Sequence, residues 1–387
     1  MGLSRRFLNL VVGNGISGVK SLCRIDLAQQ SFFDPTTPSQ PPNGTGSQYA
    51  IAQTRVTDTG NEKNKQAEVT TMMMEQFRVP SSSITFRASA SAPNDPWKID
   101  CFPLAGSNVI CADQLGHTFR FDAEMGIAWT MPSLHKPNRN LGRSLFVMEK
   151  ITKPEVGCSM PHSDQFEVFV YRNAKSKPFK AWHCHLLPPP PYVREPKYQD
   201  SCLEISSYAV LGSDICISVK GVGTYRLHMA SQTWKKVGEW TLPFHGRVEY
   251  VPELKLWFGL SAQSQHLAAA DLSSLDSQPQ LLGPWKELEL PEEWKECKDS
   301  QFVNLGSGKF CIARFFHPRI LNGELGDGLS GQNCTVLTGV EVAPLVQDSS
   351  VNANSISRSS NEIKELQITH HKSRCHTSKG TSIDAVF

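Results

Sequence analysis

Short apolar segments separated by turn residues make up most of the sequence. Between residues 72 and 345, strand-length runs rich in Val, Ile, Leu, Phe and Cys alternate with Gly, Pro, Asn and Ser. Long amphipathic helical patterns are missing, and the best helical candidate, residues 291–296, covers about one or two turns. The pattern therefore predicts an all-β protein.

A glycine–serine turn recurs three times within one strand–turn–strand pattern. Glycine supplies the positive φ that such a turn needs without steric cost. The turn recurs after 106 and then 94 residues, and a cysteine lies in the apolar segment that follows each copy. The three copies are Gly106–Ser107, Gly212–Ser213 and Gly306–Ser307.

A tryptophan recurs in the last strand of successive units, and its spacing is shorter than that of the glycine–serine turns. Weaker strand pairs lie between the glycine–serine copies, which brings the repeat length near 50 residues. A repeat of this kind is typical of a kelch-like β-propeller, here with about six blades. The alternative is a β-sandwich with chance glycine–serine matches. Packing between blades is the favoured role of the four tryptophans, Trp129, Trp182, Trp234 and Trp285.

Composition divides the chain into five parts. Residues 1–33 predict the first β-hairpin of the repeat domain, and residues 72–345 the blades. Residues 34–71 predict a disordered polar insertion because they hold scarcely any large apolar side chain. Residues 346–379 predict a disordered basic tail for the same reason. Residues 380–387 could supply a strand that closes the ring.

The net charge and the cysteines limit the classes of partner and the cellular compartment that we expect. The 387 residues carry a net charge of +2, so no global field favours nucleic acid or an anionic membrane. No membrane span is predicted, and nucleic acid is an unlikely partner. The 11 cysteines are odd in number and form no C-x-x-C pair, which favours reduced thiols in the cytoplasm or nucleus. Asn9 interrupts the apolar start and argues against a secretory signal, with a transit peptide left open.

The only sequence that hints at a metal is His183-Cys184-His185. In a strand, the two histidines share one face while Cys184 points to the other. Two histidines are an incomplete zinc site, so a polar pair at a strand end is the favoured interpretation. No nucleophile elbow, phosphate-binding loop or H-E-x-x-H motif occurs. We therefore predict no catalytic, cofactor-binding or metal-binding residue and no cofactor.

Five segments carry a resemblance to a known family. The sequence resembles cereal-grass proteins of the plant family built on domain of unknown function 1618, which is similar to F-box-associated kelch-like regions. This resemblance implies a plant intracellular protein, and it brings no catalytic residue. No F-box helices precede the repeats. The matching segments are residues 4–12, 145–150, 186–193, 250–260 and 383–387.

Two functional hypotheses follow from the repeat. The favoured one is a non-enzymatic scaffold whose loops bind an unknown protein partner, because a rigid ring lets loops vary. The alternative is an enzyme or small-molecule binder at the mouth of the central channel, because a fold does not determine function. A cluster of charged residues converging on the channel would favour the alternative.

Overall fold

In a computed structural model, nearly all of the regular secondary structure consists of β-strands. The structure describes residues 5–16, 18–34, 74–88, 98–104, 106–135, 166–173, 180–198, 203–288, 294–320, 328–329, 332–345 and 366–387. The helical segments within these ranges are two short 3₁₀ turns, Pro191–Arg194 and Pro196–Tyr198. The prediction of an all-β protein is confirmed.

The strands are numbered in chain order. The first twelve are β1 Phe7–Gly13, β2 Val19–Asp26, β3 Glu75–Gln76, β4 Ile84–Arg87, β5 Ile99–Pro103, β6 Asn108–Asp113, β7 Thr118–Asp122, β8 Ile127–Thr130, β9 Phe166–Asn173, β10 Lys180–Leu187, β11 Ile205–Leu211 and β12 Asp214–Val219. The remaining ones are β13 Gly223–His228, β14 Thr233–Gly238, β15 Phe244–Val251, β16 Leu256–Ser261, β17 Leu267–Ala270, β18 Leu282–Trp285, β19 Trp294–Gly306, β20 Lys309–Ile320, β21 Gly328–Leu329, β22 Gln332–Pro344, β23 Leu366–Lys379 and β24 Ser382–Val386.

The described strands form six antiparallel units, which we call sheets 1 to 6. Sheet 1 has the order β24-β1-β2-β4, sheet 2 is β5 to β8, and sheet 3 is the pair β9-β10. Sheets 4 and 5 are β11 to β14 and β15 to β18, joined through parallel pairing of β11 with β15. Sheet 6 has the order β19-β20-β22-β23, with β3 parallel to its outer strand and β21 beside β20.

Each of the three glycine–serine copies lies at the turn between the first two strands of a sheet. In sheet 4, Gly212 and Ser213 form a two-residue turn between the paired residues Leu211 and Asp214. The φ angle of Gly212 is +64°, a left-handed conformation that favours glycine. The first copy lies between β5 and β6. Between β19 and β20 the turn is shifted by one residue, because Gly306 pairs with Lys309 and encloses Ser307 and Gly308.

Six apolar clusters join the sheets in cyclic order. Clusters formed by residues of sheets 1 and 2, 2 and 3, 3 and 4, 4 and 5, and 5 and 6 follow one another around the molecule. A sixth cluster returns from sheet 6 to sheet 1 and contains Leu10, Leu337 and Ile383. A two-sheet sandwich has one such interface, whereas a closed ring of sheets needs one for every neighbouring pair. The protein is therefore a β-propeller, and its described strands form six blade-like units.

The last strand of the chain closes the ring. β24 pairs antiparallel with β1, so the innermost strand of sheet 1 comes from the C-terminus and its other strands from the N-terminus. Reciprocal backbone hydrogen bonds between Asn9 and Phe387 extend this pairing. The hairpin predicted within residues 1–33 is the β1–β2 pair.

The basic tail predicted to be disordered over residues 346–379 is a strand over its last part. Residues 366–379 form β23, which pairs with β22 over nearly its whole length. Its polar composition reflects its position near the outside of sheet 6, where only part of the strand is covered. Cys375 is fully buried, and the guanidinium of Arg374 lies 5.6 Å from the ring centre of Phe32. The preceding residues 346–365, and residues 35–71 of the insertion predicted over 34–71, lie outside the described residues.

Candidate functional site

Charged side chains from three neighbouring sheets lie close together, three of them on the first strands of those sheets and Lys20 on β2 of sheet 1. We call Lys20, Asp100, Lys298 and Asp384 the channel cluster. Lys298 Nζ lies 3.0 Å from Asp384 Oδ1, and Lys20 Nζ forms an ion pair with the other carboxylate oxygen. Asp384 lies on β24, Lys298 on β19 and Asp100 on β5, which are the first strands of sheets 1, 6 and 2.

A local irregularity places Asp384 in this cluster. Val11 pairs with Ala385 and Val12 with Ile383, so Asp384 is the additional residue of a β-bulge. A bulge turns a side chain away from the direction that regular alternation would give it. Gly13 leaves the space that the carboxylate occupies, because a Cβ atom there would lie 2.9 Å from Asp384 Oδ2.

The two carboxyl groups of the channel cluster have opposite electrostatic environments. Burial by itself would raise the pKa of Asp384, but the ammonium groups of Lys298 and Lys20 outweigh it and hold that pKa below its ordinary value. Burial raises the pKa of Asp100 to about 6, against the opposing charges of Lys20 and Lys98. Asp100 Oδ2 is buried and has no hydrogen-bond partner in the described part of the chain. The carboxylate of Asp384, which is paired with two lysines, therefore lies near the carboxyl group of Asp100, whose pKa of about 6 is close to neutral pH.

A second charged group lies on the first strands of sheets 4 and 5. Arg247 and Glu249 of β15 form an ion pair of 3.2 Å. Burial lowers the pKa of Arg5, which precedes β1, with Glu249 opposing this shift and Arg247 adding to it. Burial also raises the pKa of Tyr208 on β11 well above its ordinary range. Polar groups thus lie on or beside the first strands of several sheets, which sequence spacing alone did not reveal.

The repeated glycines and serines shape turns and take no part in the channel cluster. Gly106 and Gly306 have φ angles of +74° and +82°, as the turn between two strands requires. Ser107 donates a hydrogen bond to Asp122 at 3.1 Å, and Ser213 to Asp214 at 3.4 Å. Ser307 itself has a positive φ of +55°.

The four repeated tryptophans lie on the last strands of sheets 2 to 5. Trp182, Trp234 and Trp285 are partly buried against the clusters between sheets. Trp234 also donates a hydrogen bond from Nε1 to the carbonyl of Pro188 at 2.8 Å. Trp129 differs from the expected packing role because 37% of it is exposed, as β8 is the outermost strand of sheet 2.

Trp129 belongs to a group that we call the aromatic patch, made of the exposed Ile127, Trp129 and Tyr171 and the partly buried Arg120 and Trp182. The Arg120 guanidinium lies 5.2 Å from the ring centre of Trp129 and 5.9 Å from that of Trp182. The rings of Tyr171 and Trp182 are 5.2 Å apart. Ile127 and Tyr171 are 41% and 44% exposed. The patch spans sheets 2 and 3, so its members are far apart in the sequence.

A buried ion-pair network lies between sheets 5 and 6. Arg314 Nε lies 2.5 Å from Glu287 Oε1, and its Nη1 lies 2.5 Å from Glu296 Oε1. The Glu287 side chain is fully buried. Arg314 also donates to the backbone carbonyl of Gln265 at 2.9 Å, so the cation is held from three directions. This arrangement serves the packing of the two sheets.

The His183-Cys184-His185 sequence lies on β10, the last strand of sheet 3. The two histidine rings are stacked 6.0 Å apart. Cys184 packs against the cluster that sheets 2 and 3 share. Burial raises the pKa of the Cys184 thiol well above its ordinary range, and the hydrogen bond to Glu167 adds to this shift.

A family model described as "Protein of unknown function (DUF1668)" matches residues 5–376. The chain is a DUF1668 protein. The sequence resemblance pointed to family 1618, which carries a different number, so only the assignment to a domain of unknown function is confirmed. No curated protein matches this DUF1668 chain. None of the helical segments in its described part has the length and apolar character of a membrane span.

Solved structures give only a distant likeness to this DUF1668 protein. The β-propeller domain of Cps50 (Swd1) from Myceliophteria thermophila shares 11% identity, with 61% of this chain and 77% of that chain covered and a TM-score of 0.28. BamB from Moraxella catarrhalis shares 10% identity over 68% and 87%, with a TM-score of 0.30. Apo AztD from Citrobacter koseri shares 9% identity over 97% and 99%, with a TM-score of 0.33. The fold assignment therefore rests on the sheets and their clusters.

Proposed function

We propose that this DUF1668 protein is a non-enzymatic protein-interaction scaffold that binds its partner through the aromatic patch. The observation that carries the proposal is the exposure of Ile127, Trp129 and Tyr171 around the guanidinium of Arg120. Tryptophan, tyrosine and arginine are the residues that most often dominate binding energy at protein interfaces.

The position of β8 supports the same proposal. All four of its residues are exposed, and within the described residues it is the last strand of sheet 2. The outer edge of such a strand can pair with an extended segment of a partner. We therefore propose a partner that offers an extended, largely apolar segment. From the family resemblance, we further propose that this chain itself is a kelch-like plant protein that acts in the cytoplasm or nucleus.

The test includes alanine variants of two tyrosines that lie on different sheets and have similar local packing. Tyr171 packs against Trp182 with ring centres 5.2 Å apart in the aromatic patch, and Tyr250 packs against Trp257 at 4.6 Å on sheet 5, both in tilted orientations. Both tyrosines are exposed. Quantitative affinity purification from plant extract would use the wild type, Trp129→Ala, Tyr171→Ala and the control Tyr250→Ala.

We expect the partners of the wild type to be lost from Trp129→Ala and Tyr171→Ala and retained by Tyr250→Ala. With a purified partner, each patch variant should weaken binding by about 30-fold or more, as loss of an interface anchor does. Equal recovery with all variants would contradict the aromatic patch as the binding surface. Turnover of a metabolite by the purified protein would contradict the non-enzymatic role.

The channel cluster supports a second candidate function, the binding of a small polar molecule. The specific observation is the buried, partnerless oxygen of Asp100 beside Lys20 and Asp384. A thermal-shift screen with phosphorylated and carboxylated metabolites tests it. A hit should raise the melting temperature of the wild type and lose its effect in Asp100→Asn. A screen in which no metabolite stabilises the wild type would count against this function.

A further inference from the structure

Three potential metal ligands converge between sheets 2 and 3. His135 Nδ1 lies 3.0 Å from Glu167 Oε2, and Cys184 Sγ lies 3.1 Å from the same oxygen. Cys184 Sγ lies 3.5 Å from His135 Nδ1. The three donor atoms all lie within 4.8 Å of one another.

The fold explains why these residues meet. Cys184 pairs across the strands with Phe169, so Glu167, two residues before Phe169, shares the face on which Cys184 lies. His183 and His185 point to the opposite face. The third residue, His135, follows β8 and comes from the neighbouring sheet. Two ligands are thus held on paired strands, while the third reaches them from a loop.

The spacing of the donor atoms fits a tetrahedral zinc ion. With usual zinc–ligand bond lengths, the edges of the tetrahedron are about 3.3 Å between nitrogen and oxygen and about 3.5 Å between sulfur and either of them. The distances among His135, Glu167 and Cys184 agree with these edges to within about 0.4 Å. A thiolate, an imidazole and a carboxylate together form a ligand set suited to zinc.

The same geometry argues against a cysteine nucleophile. In a catalytic triad, the acid holds the histidine through one ring nitrogen while the other nitrogen faces the nucleophile. Here Glu167 Oε2 contacts Nδ1 of His135, which is also the nitrogen nearest to Cys184 Sγ. One nitrogen cannot receive the thiol proton while it is held by the acid. Convergence on a shared point is what a metal ion requires.

We propose that His135, Glu167 and Cys184 bind a Zn²⁺ ion that ties sheet 2 to sheet 3. The Glu167 side chain is only 12% exposed, whereas the His135 side chain is 45% exposed. Three protein ligands leave a fourth coordination position, which a water molecule or an incoming ligand would fill. On binding, the thiol proton of Cys184 passes to solvent, and His135 uses the lone pair of its neutral Nδ1.

The test measures zinc binding by the full-length protein after removal of metal with a chelator. Isothermal titration and elemental analysis after gel filtration give affinity and stoichiometry. Cobalt supplies a second readout, because a thiolate–cobalt bond produces a charge-transfer band in the ultraviolet spectrum. The variants are His135→Asn, Glu167→Gln and Cys184→Ser. The matched controls are His117→Asn, whose histidine contacts Asp113 at 3.1 Å in a similar pair, and Cys297→Ser, which removes an exposed free thiol.

We expect one zinc ion per chain in the wild type and in both controls. Each ligand variant should weaken binding by more than about 100-fold, beyond the effect of losing an outer-shell partner. At cobalt concentrations high enough to saturate each variant, the charge-transfer band should be missing from Cys184→Ser and present in His135→Asn and Glu167→Gln, which keep the thiolate. No zinc bound to the wild type, or equal binding by Cys184→Ser and Cys297→Ser, would overturn the proposal. Circular dichroism confirms that each metal-free variant is folded, so that lost binding is not lost structure.

Discussion

Lys298 Nζ and Asp384 Oδ1 form a 3.0 Å ion pair between the innermost strands of sheets 6 and 1. At this interface the last strand of the chain meets the blade that precedes it in the ring. Gln301 of sheet 6 also accepts a hydrogen bond from the backbone N–H of Val386 at 2.9 Å. Sheets 6 and 1 are therefore joined both by polar contacts between their first strands and by a shared apolar cluster.

Leu10→Ala should destabilise the protein through this closing interface. Leu10 is fully buried in the cluster that joins sheets 6 and 1, so its truncation should lower the free energy of unfolding by about 2–5 kcal/mol. The control Leu115→Ala removes a 46% exposed leucine and should change it by less than about 0.5 kcal/mol. Urea unfolding measures both. Equal effects would show that the closing cluster does not support the fold.

Asp100→Asn should change the pH dependence of stability. The folded protein keeps a proton on Asp100 up to a pKa of about 6, whereas the unfolded chain releases it near the ordinary value of 3.8. Stability from this group is fully present below pH 3.8 and falls as pH rises to about 6. The negative charge of Asp384 adds to the rise in the pKa of Asp100, and the positive charge of Lys20 opposes it.

The asparagine cannot ionise, so Asp100→Asn should equal the wild type near pH 4 and exceed its stability at pH 7 by up to roughly 3 kcal/mol. Urea unfolding at a series of pH values gives the two curves. Parallel curves from pH 4 to pH 7 would mean that Asp100 titrates normally in the folded protein.

Arg314→Met should be strongly destabilising because it leaves the carboxylate of Glu287 buried without its cation. Loss of one partner from a buried ion pair costs about 3–5 kcal/mol. Glu287→Gln in the same protein removes the stranded charge, so the double variant should lose less stability than the sum of the single variants. A double-mutant cycle by chemical denaturation measures this coupling. Simple additivity would show that the 2.5 Å contact contributes little.

Gly308→Ala should destabilise the protein more than Gly212→Ala. The two glycines have similar φ angles, +72° and +64°, so the cost of a left-handed alanine, about 1–2 kcal/mol, is common to both. A Cβ atom at Gly308 would overlap the carbonyl of Val342, whereas one at Gly212 would meet nothing within 4 Å. Thermal and urea unfolding give the difference. Equal losses would mean that the turn at Gly308 relaxes freely.

Local features of the fold were predictable because they depend on neighbouring residues. The turns at Gly106, Gly212 and Gly306 follow from glycine's access to positive φ. The strand within residues 380–387 follows from its short apolar run. The prediction of disorder for the segment that forms β23 failed because a strand near the outside of a sheet needs few apolar residues when its partner, β22, holds it by backbone hydrogen bonds.

The possible sites were hidden from sequence because their members come from different sheets. Lys20 and Asp384 are 364 residues apart, and a β-bulge aims the carboxylate that joins them. The metal proposal shows the same limit. The sequence pointed to His183-Cys184-His185, and among the described residues Cys184 is the member of that motif that joins a group of three potential metal ligands. His135 and Glu167 carry no spacing that would identify them as its partners.

The sequence by itself determined the repeated strand–turn–strand unit and its approximate period, since backbone sterics and apolar alternation act over a few residues. Only the tertiary structure decided how the units close, which faces stay exposed and which charged groups meet. Those features depend on the packing of sheet against sheet, which brings Lys298 to Asp384 and Cys184 to His135 across long stretches of chain.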